Sequence, residues 1–235
     1  MYGEYELPTT IEANEISISI VRDNNTFLYK REGFNETVEK KLIGQNGKII
    51  LNPIEPLNKP EQITQYLQIE LDHDILVEPK SSQIIFLKFP IEIGVFVEAK
   101  KGLSNVDIFT FVKQKYTLYG SNREGLICRY FLSSIYADIP KLDPLKEGIM
   151  ELSINNVTSD WITLRRVVFQ ATDMKIYYSK DLVSMKASLH ITSKSVGETK
   201  IKDKALFENM IKSTELYTVR KIPVVSKKMI MLWGF

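Results

Sequence analysis

Histidine, the usual proton shuttle near neutral pH, occurs twice in this chain, as His73 and His190. His73 lies in LDHDIL. An extended chain sends Asp72 and Asp74 to one face there and His73 to the other, so a local cluster would need a bulge or a turn. His190 falls on the polar face of its strand together with Lys186. No GxSxG elbow accompanies either histidine. Glycosidase-type chemistry would need two carboxyl groups facing each other. Glu92 and Glu98 stand at opposite ends of one predicted strand, about 20 Å apart at the usual rise per residue, and cannot serve as that pair. Cys128 is the sole cysteine and sits in the apolar run LICRYFL. Its neighbour Arg129 points to the opposite face, so no adjacent cation activates the thiol. GSNREG, residues 120–125, is bounded by glycines but matches neither a P-loop nor GxGxxG, and reads as a turn. Arg165 and Arg166 occupy opposite faces of WITLRRVVF, where a partly buried arginine calls for a structural ion pair. In the tail, Arg220-Lys221 and Lys227-Lys228 flank Pro223 among aromatic residues. Such pairs protect a sheet edge, although stacking platforms for single strands use the same residue types. These residues define no catalytic group, no metal site and no cofactor site, and an enzyme is not favoured.

The elements that carry these residues follow a period of two. In EISISIV, Ile16, Ile18 and Ile20 share one face and Ser17 and Ser19 the other. YLQIEL places Leu67, Ile69 and Leu71 opposite Tyr66, Gln68 and Glu70. Ile91, Ile93, Val95 and Val97 line one side of IEIGVFVE. Val183, Met185, Ala187, Leu189 and Ile191 alternate with polar residues over nine positions, which no helix can do. QIIFLKF and WITLRRVVF are apolar on both faces and predict central strands. Asn46-Gly47 predicts a hairpin between VEKKLI and KIIL. EPKSSQ and ATDMK predict turns, and EPLNKPEQ, with two prolines, an irregular surface loop. One helix is expected, KALFENMIK, capped by Asp203. SNVDIFTFVKQKYTLYG is left open between strand and helical turns. MIMLWGF reads as a last buried strand or a docked tail.

The expected fold class is therefore all-β with minor α, an antiparallel β-sandwich architecture of two sandwich-like domains. Pro140, Pro144 and Gly148 break any ladder within ADIPKLDPLKEG. They set the expected boundary, with a β-rich domain over 1–144 and a smaller immunoglobulin-like β-domain with one short helix over 145–235. The 235 residues carry 31 Lys+Arg against 29 Asp+Glu, a balance that does not suggest a polyanion binder. The halves differ, however. Residues 1–144 hold 16 basic and 20 acidic side chains, and residues 145–235 hold 15 and 9. A lone cysteine suits a reducing compartment. The opening MYGEYELPTTIEANE lacks the apolar segment of a signal peptide, and no apolar run nears the ~20 residues that span a bilayer. A cytoplasmic location and no membrane span are expected.

MYGEYELP, VEPKSSQIIFLKFPIEIGVFVE, QKYTLYG (114–120) and GLICRYF (125–131) together resemble an archaeal family known only as domain of unknown function number 432. The resemblance is densest over residues 66–136. It implies an archaeal, cytoplasmic protein and no particular activity. Within the resembling segments the polar candidates for a shared binding site are Glu92, Lys115 and Arg129. The expected function is a non-catalytic interaction or adaptor module with a macromolecular partner, protein rather than nucleic acid, and self-association is left open. The alternatives are a small-ligand-binding protein or enzyme with a site between the two halves, and weak nucleic-acid binding by the basic C-terminal half.

Overall fold

A computed structural model describes residues 1–43, 47–61, 63–99, 102–220 and 228–235. Among these residues the chain forms twenty strands and one α-helical turn. The first group is β1 (Gly3–Glu6), β2 (Thr9–Ala13), β3 (Ile16–Asp23), β4 (Thr26–Gly33), β5 (Glu36–Ile43) and β6 (Lys48–Ile54). Next come β7 (Tyr66–Val77), β8 (Ser81–Pro90), β9 (Glu92–Ala99), β10 (Gly102–Phe109), β11 (Tyr116–Tyr119), β12 (Leu126–Ser133) and β13 (Ile135–Tyr136). The last are β14 (Glu147–Asn156), β15 (Ile162–Gln170), β16 (Tyr177–Tyr178), β17 (Val183–Ile191), β18 (Gly197–Lys202), β19 (Ile211–Lys212), helix α1 (Leu216–Val219) and β20 (Lys228–Met231). The chain is all-β, as its alternation predicts. Among the described residues no helix is long and apolar enough to cross a membrane.

Two compact units emerge, and neither is a continuous half. Unit 1 comprises residues 1–52 and 93–108; unit 2 comprises residues 53–92 and 109–235. The expected boundary at 144/145 is therefore corrected. Strand β14 pairs with β8 over ten residues, and β15 pairs with β7. Strands on both sides of Pro144 thus share sheets. The Pro/Gly-rich segment is a connector inside unit 2, because breaking a ladder locally does not prevent its flanks from joining the same sheet.

In unit 1, β2–β5 form an antiparallel meander. Its turns place Asn14, Asn24 and Asn35 at positive φ, a conformation that asparagine tolerates better than most residues. Ile16, Ile18 and Ile20 are all buried. A second sheet runs β1-β6-β9-β10. Asp107 of β10 ties the two sheets together, accepting from Arg31 Nε at 2.6 Å and from the Tyr29 hydroxyl at 2.9 Å. The Asn46-Gly47 hairpin falls partly outside the described residues, but its flanks β5 and β6 belong to different sheets.

In unit 2, one sheet has the order β11-β12-β7-β15 and the other β13-β8-β14-β17-β16-β19, with β18 and β20 adding beyond β17. Pairing is mostly antiparallel, but β12 runs parallel to β7 and β14 parallel to β17. These parallel pairs exclude the immunoglobulin-like pattern expected for residues 145–235. WITLRRVVF (β15) is an edge strand rather than a central one. Its apolar second face is explained by packing against β18 and β20, where Thr199 Oγ1 donates to Val168 O at 2.6 Å. The expected helix KALFENMIK is bends and turns leading into β19. Asp203 instead accepts from Tyr177 Oη and Lys212 Nζ, so its carboxylate is engaged across strands and does not cap a helix. SNVDIFTFVKQKYTLYG resolves into β10 and β11. In MIMLWGF, Met229, Met231 and Phe235 are buried, and Trp233 packs edge-on against Tyr119.

Candidate functional site

The segment EPLNKP leaves β6 without secondary structure, yet Glu55, Pro56, Leu57 and Asn58 are buried. This corrects the surface loop expected from its two prolines. A buried irregular backbone must find hydrogen-bond partners, and here side chains supply them. Glu92, at the start of β9 and 0% exposed, accepts the N–H of Asn58 at 2.9 Å on one oxygen and the N–H of Lys59 at 3.2 Å on the other. Asn58 Nδ2 donates to Glu55 O at 2.8 Å, and Tyr116 Oη donates to Lys59 O at 3.2 Å. Burial raises the Glu92 carboxyl to about 7, against the opposing pull of these N–H donors and of Arg129.

Glu55 is the more strained of the two acids. It is 4% exposed, and its Oε1 has no hydrogen-bond partner among the described residues. The recess it lines with Ile54, Met174 and Ile176 has no room for a water. Desolvation first, and the charge of Glu92 after its own backbone's pull, set its pKa at about 8. Burial also lifts the Tyr217 phenol to about 12, with Glu55 adding to the shift. Arg129 is 1% exposed. Its Nη1 donates to Lys115 O at 3.4 Å, its guanidinium lies 5.9 Å from the Tyr116 ring, and its Nε is unpartnered among the described residues.

Next to this buried cluster lies a cavity of about 670 Å³. Three pieces of unit 2 line this open cavity: the loop before β7, the start of β12, and the turn of α1. Thr64 anchors the loop by donating to Ile127 O of β12 and accepting the Tyr66 N–H at 2.9 Å. Gly125 forms part of the wall, and a larger residue does not fit there because its Cβ would meet Ser121 O at 2.4 Å. Leu216 is fully buried and fixes α1, so that Tyr217 and Arg220 face the cavity. The body of the lining is apolar or aromatic, from Leu57, Ile63, Leu126, Ile127, Tyr66 and Tyr217. Asn58, Thr64 and Gln65 add polar groups, and the charges are Glu61 and Arg220. Arg220 Nη1 donates to Glu61 Oε1 at 2.9 Å.

The three residues singled out from the sequence separate by role. Glu92 and Arg129 come within electrostatic reach of each other, and Glu92 holds the loop behind the cavity, whereas Arg129 donates to Lys115 O. Lys115 contributes its carbonyl to Arg129, and its side chain is exposed. Of the residues that line or back the cavity, Glu55, Asn58, Glu61 and Tyr217 were not identified from the sequence, and Arg220 was noted only within a basic tail pair. A glutamate between two prolines was the available signal for Glu55; Arg220, at the end of α1, was visible only as half of a basic pair in the tail, which spacing assigned to edge protection and not to a cavity 165 positions from Glu55. Neither histidine lines the cavity. His73 is exposed with Nδ1 3.2 Å from Asp72, and His190 is exposed beside Asn155. The Cys128 thiol is buried and pushed up to about 12. Arg165 pairs with Asp74 at 2.9 Å, but both side chains are exposed; the partly buried arginine of this strand is Arg166, whose Nε is unpartnered among the described residues, so the buried ion pair expected here is not formed at Arg165. Among the described residues no group of three or more His, Cys, Asp or Glu could hold a metal. Of the basic tail pairs, Lys221, Pro223 and Lys227 lie outside the described residues.

A family model described as a protein of unknown function (DUF432) matches residues 1–232. No curated protein and no solved structure matches the chain.

Proposed function

Since the chain belongs to the DUF432 family of proteins of unknown function over residues 1–232, we propose for it a role read from its own geometry: unit 2 is a recognition module that holds a small organic ligand in the cavity walled by the loop before β7, the start of β12 and α1. The observation that carries this reading is the cavity itself. Its volume of about 670 Å³ falls within the range of small-molecule sites, and its lining is mainly apolar with a few converging polar groups. Two carboxyls with raised pKa values stand directly behind it, a common companion of binding sites. The lining residues, from 57–66, 125–127, 217 and 220, all belong to unit 2, so the cavity is a feature of that unit and not a crevice between two halves. Binding rather than bond chemistry is favoured, because the cavity presents no nucleophile with a base beside it. An archaeal cytoplasm is the setting we propose, supported by the lone, buried thiol.

The test is a fluorescence titration with N-phenyl-1-naphthylamine, a neutral apolar dye that brightens on leaving water. Saturable binding at one site is expected, weakened about tenfold or more in Ile127→Glu, which places a charge in the wall. Ile127 is 52% exposed, so the fold tolerates the change. An unsaturable signal, or one indifferent to Ile127→Glu, would refute the reading.

A second reading, the adaptor module, draws on one observation. Leu118 and Ile127 face each other across β11 and β12, and both are exposed. With exposed Ile63 they offer apolar surface at the cavity rim. A partner's apolar side chain would occupy the same cavity, and a peptide competing with the dye would identify it.

A further inference from the structure

The cavity's charges narrow the chemistry of its occupant. Glu61 and Arg220 are the charged residues in its lining, and they are paired with each other. The pair is unequal. The Glu61 side chain is 57% exposed and belongs to an open loop, whereas Arg220 is 27% exposed. Arg220 also has a firm mount, because its N–H donates to Leu216 O at 2.9 Å at the end of α1, and Leu216 is fully buried. The main chain under the cation is therefore held at the wall, and the counter-ion can swing into water at little cost, since exposed ion pairs contribute little. A guanidinium carries five N–H donors in a planar fork. Among the described residues Glu61 is its only ion-pair partner. Donors remain for a planar or tetrahedral anion, and arginine suits such groups better than lysine because it binds them bidentately and is weakly hydrated.

The groups behind Arg220 do not cancel its charge. Glu55 and Glu92 are the buried acids facing this corner, and Tyr217 and Arg129 are the other titratable side chains around them. Near neutral pH Glu55 keeps its proton, and so does the Tyr217 phenol, while Glu92, at about 7, is partly ionised with its charge shared by the N–H groups of Asn58 and Lys59 and by Arg129. The exposed carboxylate of Glu61 then stands where a ligand's acid group would stand. The remaining lining, Ile63, Leu126, Ile127 and Tyr217, offers an apolar bed next to that position.

Resting on the cavity reading above, we infer that the ligand is a small organic acid with an apolar or aromatic body, whose anionic group displaces Glu61 from Arg220. Glu61 is thus a built-in competitor, and Arg220 sets the specificity.

Two dyes of one skeleton test this. 1-Anilinonaphthalene-8-sulfonate carries an anion, and N-phenyl-1-naphthylamine lacks it. The full chain and the variants Arg220→Gln, Arg220→Lys and Glu61→Gln are titrated with both at low salt. The sulfonate dye binds the native protein more tightly than the neutral dye. Arg220→Gln weakens the sulfonate dye about tenfold or more relative to the neutral dye, the scale of one lost charge-assisted hydrogen-bond pair. Arg220→Lys is intermediate, because the charge remains and the fork is lost. Glu61→Gln tightens the sulfonate dye severalfold relative to the neutral one. Equal binding of both dyes, or a loss of sulfonate affinity in Glu61→Gln, overturns the inference while the neutral dye still reports a working cavity. If the neutral dye fails to bind any of these proteins, the cavity reading itself fails.

Discussion

Replacing Glu55 by glutamine should change how the stability of the fold responds to pH. The carboxyl is 4% exposed, its Oε1 is unpartnered among the described residues, and the recess around it excludes water. Its pKa rises from 4.5 to about 8 on folding, mainly through desolvation. Between those values the native state holds a proton that the unfolded chain has released. Stability therefore falls as pH rises through the window, by about 1.4 kcal/mol per pH unit, and the loss is complete above pH 8. The ceiling is on the order of 5 kcal/mol. Relaxation and coupling to Glu92, which titrates from 4.5 to about 7, reduce the share assignable to one residue, and about 2–4 kcal/mol is the working expectation. Glutamine mimics the neutral acid and cannot ionise. The variant should match the native protein near pH 5 and exceed it increasingly towards pH 9. Urea-unfolding midpoints at pH 5, 6, 7, 8 and 9 read the difference. A difference between the two proteins that does not change with pH would refute the assignment of Glu55 as a buried acid protonated at neutral pH.

Three further outcomes follow from the same geometry. Asp107→Ala should destabilise the protein by about 2–4 kcal/mol in urea unfolding, because it removes the buried one of the two carboxylates on the fully buried Arg31, leaving the exposed Glu36 at 3.1 Å, and also removes the acceptor of Tyr29; a loss below about 1 kcal/mol would show that Glu36 suffices for Arg31. Cys128 should resist Ellman's reagent at pH 8 in the native state and react at once in denaturant, since burial holds its thiol near 12; rapid native labelling would contradict its burial. Gly148→Ala should cost about 1–3 kcal/mol by thermal melting, because the new Cβ would lie 2.5 Å from the ring of Phe89, which is itself fully buried and has nowhere to move; an unchanged melting temperature would mean that β8 and β14 are not in this register.

The strands were legible because burial repeats at a period of two. Ile16, Ile18 and Ile20, or Met185, Ala187 and Leu189, reveal their faces from spacing alone, and all are buried. What spacing cannot reveal is which strand lies beside which. The parallel pairing of β14 with β17 joins residues 35 positions apart, and the two units each draw on separated stretches of chain. A Pro/Gly-rich segment marks the end of a ladder, not the end of a domain, which is why the boundary at residue 144 misled. The buried acid loop was hidden for a related reason. Glutamate, asparagine and proline ordinarily favour the surface, and only Glu92, arriving from 34 residues downstream, makes burial of Asn58 tolerable. Glu92 itself was visible as a charged residue on an apolar strand. Its role, however, is to support the cavity wall from behind, and the charge that faces the cavity belongs to Arg220.

The most direct measurement is a crystal structure of the full chain soaked with 1-anilinonaphthalene-8-sulfonate. The account predicts dye density between Ile127, Leu126 and Tyr217, with the sulfonate on Arg220 and Glu61 turned outward. An empty cavity beside dye bound elsewhere, or a cavity filled by the protein's own side chains, would contradict it.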